Sequence, residues 1–315
     1  MRTGVGVSRR GWALFLAMGL IWGVPYLMIK VAVEEFSPAT LVLARTAIAA
    51  VILVPVAATK GQLRPLLPYW RPLLAYTLVE ICIPWVLLGY AEQTLSSSLT
   101  GLLVAAVPLV GALLVWVTGH ERVERRRVAG LLVGFAGVGL LVGFDVGSAN
   151  LGALLAVAGV VVGYALGPLL LARYLSHLPA LGVVAASIGL TAIGYLPVGL
   201  LQRPSRPPSA EAWLSVLGLA LICTALAFLV FFALIAEVGP ARATVITYVN
   251  PAVAIALGVL ILGETLTVSI AAGFMLILAG SVLATARDRA PDRRARALRD
   301  GESSGECLTE PIPEP

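Results

Sequence analysis

Three charged side chains interrupt long apolar stretches of this sequence: Lys30, Arg45 and Glu80. Ionisable groups in such stretches are costly to keep, so they are read first as binding or relay groups. Glu80 stands about 13 Å along the axis of its run, counted as a helix, which is near the middle of a bilayer. A carboxyl at that depth suits proton coupling or the holding of a substrate amine. Arg45 lies about 12 Å into the preceding run. Its guanidinium keeps its charge, so it reads as the partner of Glu80 or as the anchor of a substrate carboxylate. Lys30 is near the end of the first run, with Glu34 four residues on and on the same helical face. That spacing predicts an interfacial pair.

Uncharged groups join these. Pro25, Pro108, Pro168 and Pro251 each remove a backbone donor and free a carbonyl. In a membrane such breaks are tolerated beside a cavity or a satisfying neighbour, and we read the four as hinges. Asn250 next to Pro251, with Thr244, Thr247 and Tyr248, adds a polar wall near mid-span. Trp22 and Tyr76 are deep enough to line a pocket, whereas Tyr26, Trp85, Tyr90, Trp116 and Tyr164 read as interface anchors or packing. Gly130, Gly134, Gly137, Gly273 and Gly280 have the spacing of close helix contact. Glu121 and Glu264 suit helix-end hydrogen bonding. The chain carries no Walker phosphate loop, HExxH, CxxC or GxSxG. No ATP drive, metal, cofactor or enzymatic chemistry is expected, and His120 and His177 read as solvated loop residues.

These groups need elements to position them. Of 315 residues, 59% are hydrophobic and 12% charged, about half the charge of a soluble domain, so lipid is the expected solvent. Ten runs meet the length of about 20 apolar residues that a spanning helix needs. They fall near 11–33, 37–58, 71–90, 94–118, 128–144, 150–171, 179–201, 213–236, 240–262 and 267–286. The Arg9-Arg10 pair precedes an apolar run through Val33, too long for an export signal. Cys82, Cys223 and Cys307 form no disulfide framework.

With the N-terminus inside, 18 of the 22 basic residues fall on the cytoplasmic side and only Arg203 and Arg206 opposite. The positive-inside rule then places both termini in the cytoplasm. It also accounts for the net charge of +5 without a nucleic-acid partner. Residues 287–315 have no apolar period and read as a disordered cytoplasmic tail.

The chain repeats itself at an offset of 143 residues: Pro25 meets Pro168, Lys30 meets Arg173, Pro108 meets Pro251, and Glu121 meets Glu264. Nine positions between 108 and 140 are identical in the second copy. The halves are 1–144 and 145–286, five spans each. An odd number of spans makes them inverted repeats. The expected fold is all-α integral membrane, ten transmembrane helices as two inverted five-helix repeats. Such repeats recur in secondary transporters with a mid-membrane site between them.

Each half resembles an EamA domain of the drug/metabolite transporter superfamily. The resemblance rests on Trp22-Gly23 with Lys30, on Ser37-Pro38 followed by Arg45, and on Tyr90-Ala91-Glu92-Gln93-Thr94-Leu95-Ser96-Ser97-Ser98 running into Pro108. Glu121, Gly130 and Gly137 continue it. In the second half it rests on Gly239-Pro240-Ala241, Asn250-Pro251, Gly263-Glu264, Gly273 and Gly280. It covers about residues 11–286. The resemblance implies a multi-pass protein of the cytoplasmic membrane that moves amino acids or related small metabolites, with a lean toward export. It also implies a central cavity lined by helices one, three, four, six, eight and nine. Proton coupling and a homodimer stay open. The competing readings are a membrane enzyme acting on lipid-linked substrates and a scaffold that transports nothing.

Overall fold

Backbone polar groups cannot be left unpaired in hydrocarbon, so a lipid-embedded chain must close its hydrogen bonds within helices. The computed structural model, which describes residues 8–117, 125–144, 151–239 and 243–285, contains no strand among them. Among the described residues ten helices are long and apolar enough to cross a membrane: α1 (Arg9–Ala32), α2 (Pro38–Thr59), α3 (Arg64–Glu92), α4 (Ser97–Val117), α5 (Arg125–Gly143), α6 (Leu151–Leu175), α7 (Ala180–Leu201), α8 (Ala210–Val238), α9 (Val245–Leu262) and α10 (Val268–Thr285). The expected tail, Glu121 and His120 lie outside the described residues.

Local chemistry sets the helix ends. Ser8, Ser37, Ser96 and Ser209 each accept a hydrogen bond from the backbone N–H three residues on, capping α1, α2, α4 and α8. Gly263 closes α9 with φ +67°, a left-handed conformation that costs glycine little. Alternation of the helices gives the bundle two ends. One holds Ser8 and the α2–α3 and α6–α7 turns. The other holds Glu264 and the α1–α2, α3–α4 and α7–α8 turns.

The helices pair across the duplication: α1 with α8, α2 with α7, α3 with α6, α4 with α9, and α5 with α10. Exchanging the two repeats maps this set onto itself, as a two-fold axis in the membrane plane requires. Lipid offers no hydrophobic drive for helix association, so close backbone approach has to supply it. A Cβ at Gly280 would fall on the backbone of Gly134, and one at Gly130 on Ala284 N and Gly280 O. Side chains such as Leu16, Val51, Ile193, Leu260 and Met275 remain exposed as the lipid-facing surface.

The helices are not equally regular. α1 breaks at Val24, ahead of Pro25, and α4 breaks at Ala105–Ala106, ahead of Pro108. α9 opens with a 3₁₀ turn, Thr244–Tyr248, ahead of Pro251. α3, α6 and α8 contain π-helical segments at Leu78–Cys82, Leu171–Leu175 and Gly218–Leu226, and the α6 segment follows Pro168 closely. The other four helices run without interruption. The 143-residue offset carries the π segment of α3 into that of α8, so the distortion belongs to both copies.

Candidate functional site

Arg45 is only 7% exposed, and two uncharged groups hold it. Its Nε donates to Thr224 Oγ1 at 2.8 Å. Its guanidinium carbon lies 3.7 Å from the centre of the Trp85 ring, a cation–π contact. The Thr224 hydroxyl donates to Leu219 O, five residues back, at 2.8 Å, which leaves its lone pair to Arg45. Trp85 follows the π segment of α3, and Thr224 lies within that of α8. The partnership with Glu80 that the sequence offers as one option is not what holds Arg45. Trp85, read from sequence as packing or an interface anchor, is instead the face on which the guanidinium rests.

Glu80 occupies the α3 π segment itself, and its Oε2 is buried without a hydrogen-bond partner. Its carboxyl lies against Gly167 of α6, where a Cβ would overlap it. Tyr76, one turn earlier, is within electrostatic reach of Glu80 and is buried with Leu66, Leu73 and Leu175. Tyr164 of α6 is within electrostatic reach of Arg45, Glu80 and Glu92, so it is no simple interface anchor. Hydroxyls of α7 steady the distorted stretch of α3: Thr77 Oγ1 donates to Ser187 Oγ at 2.8 Å, and Tyr195 to Cys82 O at 2.9 Å.

An aromatic wall stands beside this group. Trp22 of α1 packs on Phe228 and Phe231 of α8, with centroids 6.2 and 4.8 Å apart. Phe228 and Trp85 cover the same core patch of α2 and α7. Phe232 continues the wall to a cleft of about 480 Å³ at the Ser8 end, which Lys60 and Gln62 also line. The break in α1 faces that in α9: a Cβ on Gly23 would meet Val253 and the carbonyl of Asn250. Asn250 Oδ1 is buried and unpartnered. Tyr248 sits at the start of α9, not mid-span, and its hydroxyl bonds Thr285 Oγ1 at 3.1 Å.

At the opposite end Lys30 does not take Glu34 as its partner. Its Nζ donates to the backbone carbonyls of Glu92 and Leu95 at 2.7 and 2.9 Å, closing the C-terminus of α3. Glu264, from the second repeat, accepts from Ser97 N at 2.7 Å and Ser98 N at 2.9 Å, so it caps α4 of the first. Glu92 itself is 0% exposed, and neither carboxyl oxygen has a hydrogen-bond partner. Sequence gives Glu92 no role, because a carboxyl at the end of an apolar run reads as interfacial. Tertiary packing, with groups of α1, α6 and the segment after α9 around it, removes it from solvent.

A ten-helix bundle of inverted repeats, with a buried cation and an aromatic wall at their junction, has the architecture of a membrane transporter. The EamA-like transporter family matches the chain twice, over residues 9–143 and 150–286, and the chain belongs to that family. It is 27% identical to the uncharacterized transporter YvbV of Bacillus subtilis (strain 168), over 91% of this chain and 96% of that one. It is 31% identical to the uncharacterized inner membrane transporter YedA of Escherichia coli (strain K12), over 81% and 83%. A crystal structure of a protein at 21% identity superposes with a TM-score of 0.64, over 89% of this chain and 99% of that one, a likeness of fold.

Proposed function

We propose that the chain is a secondary transporter of the cytoplasmic membrane, with both termini inside. It exports small metabolites that carry a carboxylate, amino acids among them. The observation that carries this reading is Arg45: a guanidinium deep in a bilayer-spanning bundle, held only by a threonine hydroxyl and an indole face. A permanent cation so placed attracts an anion. The repeats meet there, α2 and α3 against α8, and rocking of one repeat on the other exposes such a site to each side in turn. In this reading the substrate carboxylate rests on Arg45, its apolar part on the wall of Trp22 and Phe228, and an amine on Glu80.

The test is counterflow in proteoliposomes with a mixed panel of amino acids. Intact protein exchanges at least one member. Arg45→Gln lowers that exchange by more than tenfold, a loss of about 1.4 kcal/mol or more, while a thermal melt shows the variant folded. Glu80→Gln selectively impairs substrates that carry an amine. A folded intact protein that exchanges nothing in the panel overturns the amino-acid reading.

A further inference from the structure

Glu92 is not used by the site around Arg45, yet it is the most completely enclosed acid among the described residues. Its side chain is 0% exposed, and both oxygens lack a hydrogen-bond partner. An ionised carboxylate without partners in a dry interior is strongly disfavoured, and Lys30 makes no hydrogen bond to this carboxyl. Lys30 is an electrostatic neighbour of Glu92 but gives its Nζ hydrogens to the carbonyls of Glu92 and Leu95. The other titratable groups that face Glu92 are Tyr26 on the same helix as Lys30, Tyr164 on α6, and Glu264 after α9. Glu264 is committed to Ser97 N and Ser98 N.

We propose that Glu92 is a proton-exchanging site at the Glu264 end of the bundle, with Lys30 as its alternating counter-ion. The inference rests on the transporter reading and gives it a coupling group distinct from the substrate site. In the conformation described, Glu92 holds a proton and Lys30 holds the end of α3. Glu92 lies beside the grip of the second repeat on the start of α4, for Glu264, which caps that helix, is one of its electrostatic neighbours. When the repeats rock open at this end, that grip breaks and water reaches the carboxyl. Glu92 gives its proton to water, leaving a carboxylate, and Lys30 turns from the two carbonyls to neutralise it. This end then closes on the Glu92–Lys30 pair, and when the Ser8 end is open a proton from that side returns to Glu92 and Lys30 returns to the two carbonyls, so one proton crosses per cycle. A lysine ammonium on a long stem makes that turn without backbone change.

The experiment compares intact protein with Glu92→Gln in proteoliposomes, using the same amino-acid panel. One arm measures counterflow without a gradient, and the other measures accumulation driven by an imposed pH gradient. The variant keeps counterflow within about twofold, since it does not touch the site at Arg45, and loses the response to the gradient. A variant that responds to the gradient as intact protein does overturns the proposal. So does intact protein that exchanges substrate but ignores the gradient; in both cases the transporter reading survives. Absence of counterflow by folded intact protein instead removes the amino-acid reading, and this inference with it.

A measurement on intact protein guards against a variant that fails to fold. Dicyclohexylcarbodiimide adds to a carboxylic acid in apolar surroundings, the acid proton moving to nitrogen as the new C–O bond forms, and the adduct rearranges to a stable N-acylurea. Peptide mass spectrometry finds that adduct on Glu92, diminishing as pH rises. An unmodified Glu92 under conditions that label Glu80 overturns the proposal.

Discussion

The four uninterrupted helices and the six interrupted ones are made of similar apolar text but do different work. α5 and α10 meet through glycines close enough for backbone contact, and α2 and α7 bury a continuous core of Ala49, Leu53, Ala185 and Ile188. These pairs form a frame. α1, α3, α4, α6, α8 and α9 each carry a break, a 3₁₀ turn or a π segment. They supply Trp22, Glu80, Trp85, Glu92, Tyr164, Thr224 and Asn250, nearly every polar or aromatic group described above. From the frame, α7 adds Ser187 and Tyr195, and α2 adds Arg45, which is held by two residues of the interrupted set. The family resemblance assigns the cavity to the same six helices. Distortion goes with function here because a kinked or bulged turn frees backbone groups and re-aims side chains.

The sharpest way to break this comparison is to overfill the frame. Gly280→Leu sets a side chain on the backbone of Gly134, which cannot yield. It costs about 3 kcal/mol or more, and folded protein is lost from size-exclusion profiles. Gly139→Leu, on the partner helix α5 but with open space at its Cβ, changes the melting curve by about 0.5 kcal/mol or less. Equal behaviour of the two would remove the frame from the account.

Substitutions in the interrupted set move activity more than stability. Pro25→Ala and Pro251→Ala restore a backbone donor, so they hold or raise the melting temperature while slowing counterflow severalfold. Variants that unfold yet still exchange at full rate while folded would show the breaks to be mere packing.

The smallest effect concerns Glu35, in the exposed turn after α1. Its carboxylate accepts from Ser209 Oγ and from Ser209 N, and those bonds hold it below the usual carboxylate range. A depressed acid stabilises above its unfolded value and loses that contribution as pH falls through the folded one. Acidification below the ordinary glutamate range therefore loosens the junction of the α1–α2 turn with α8. Glu35→Gln removes that part of the acid sensitivity, read as the shift of melting temperature between neutral and acidic buffer.

How much of this was legible in the sequence follows the same division. Span count and inverted duplication are carried by long runs and by landmarks at one offset, which survive local error. The glycine seam is visible because small residues at helical spacing have few other uses. The partners of the charged groups are not visible. Lys30 and Glu34 satisfy the local rule, but tertiary packing offers Lys30 two carbonyls at the end of α3. Thr224 and Trp85 come under Arg45 because π segments shift the helical register of α3 and α8, and no periodicity in apolar text reports a single inserted residue. Glu92 looks interfacial until another helix covers it.

The pairing of every helix with one from the other repeat also bears on how the molecule is made. The first five helices emerge from synthesis without the neighbours they are shaped for: the α5 glycines face lipid, and the first turn of α4 lacks the carboxylate that caps it. They wait in the bilayer as a half-built assembly until the second five arrive with opposite orientation. A fold paired in this way is completed by the docking of two unfinished halves.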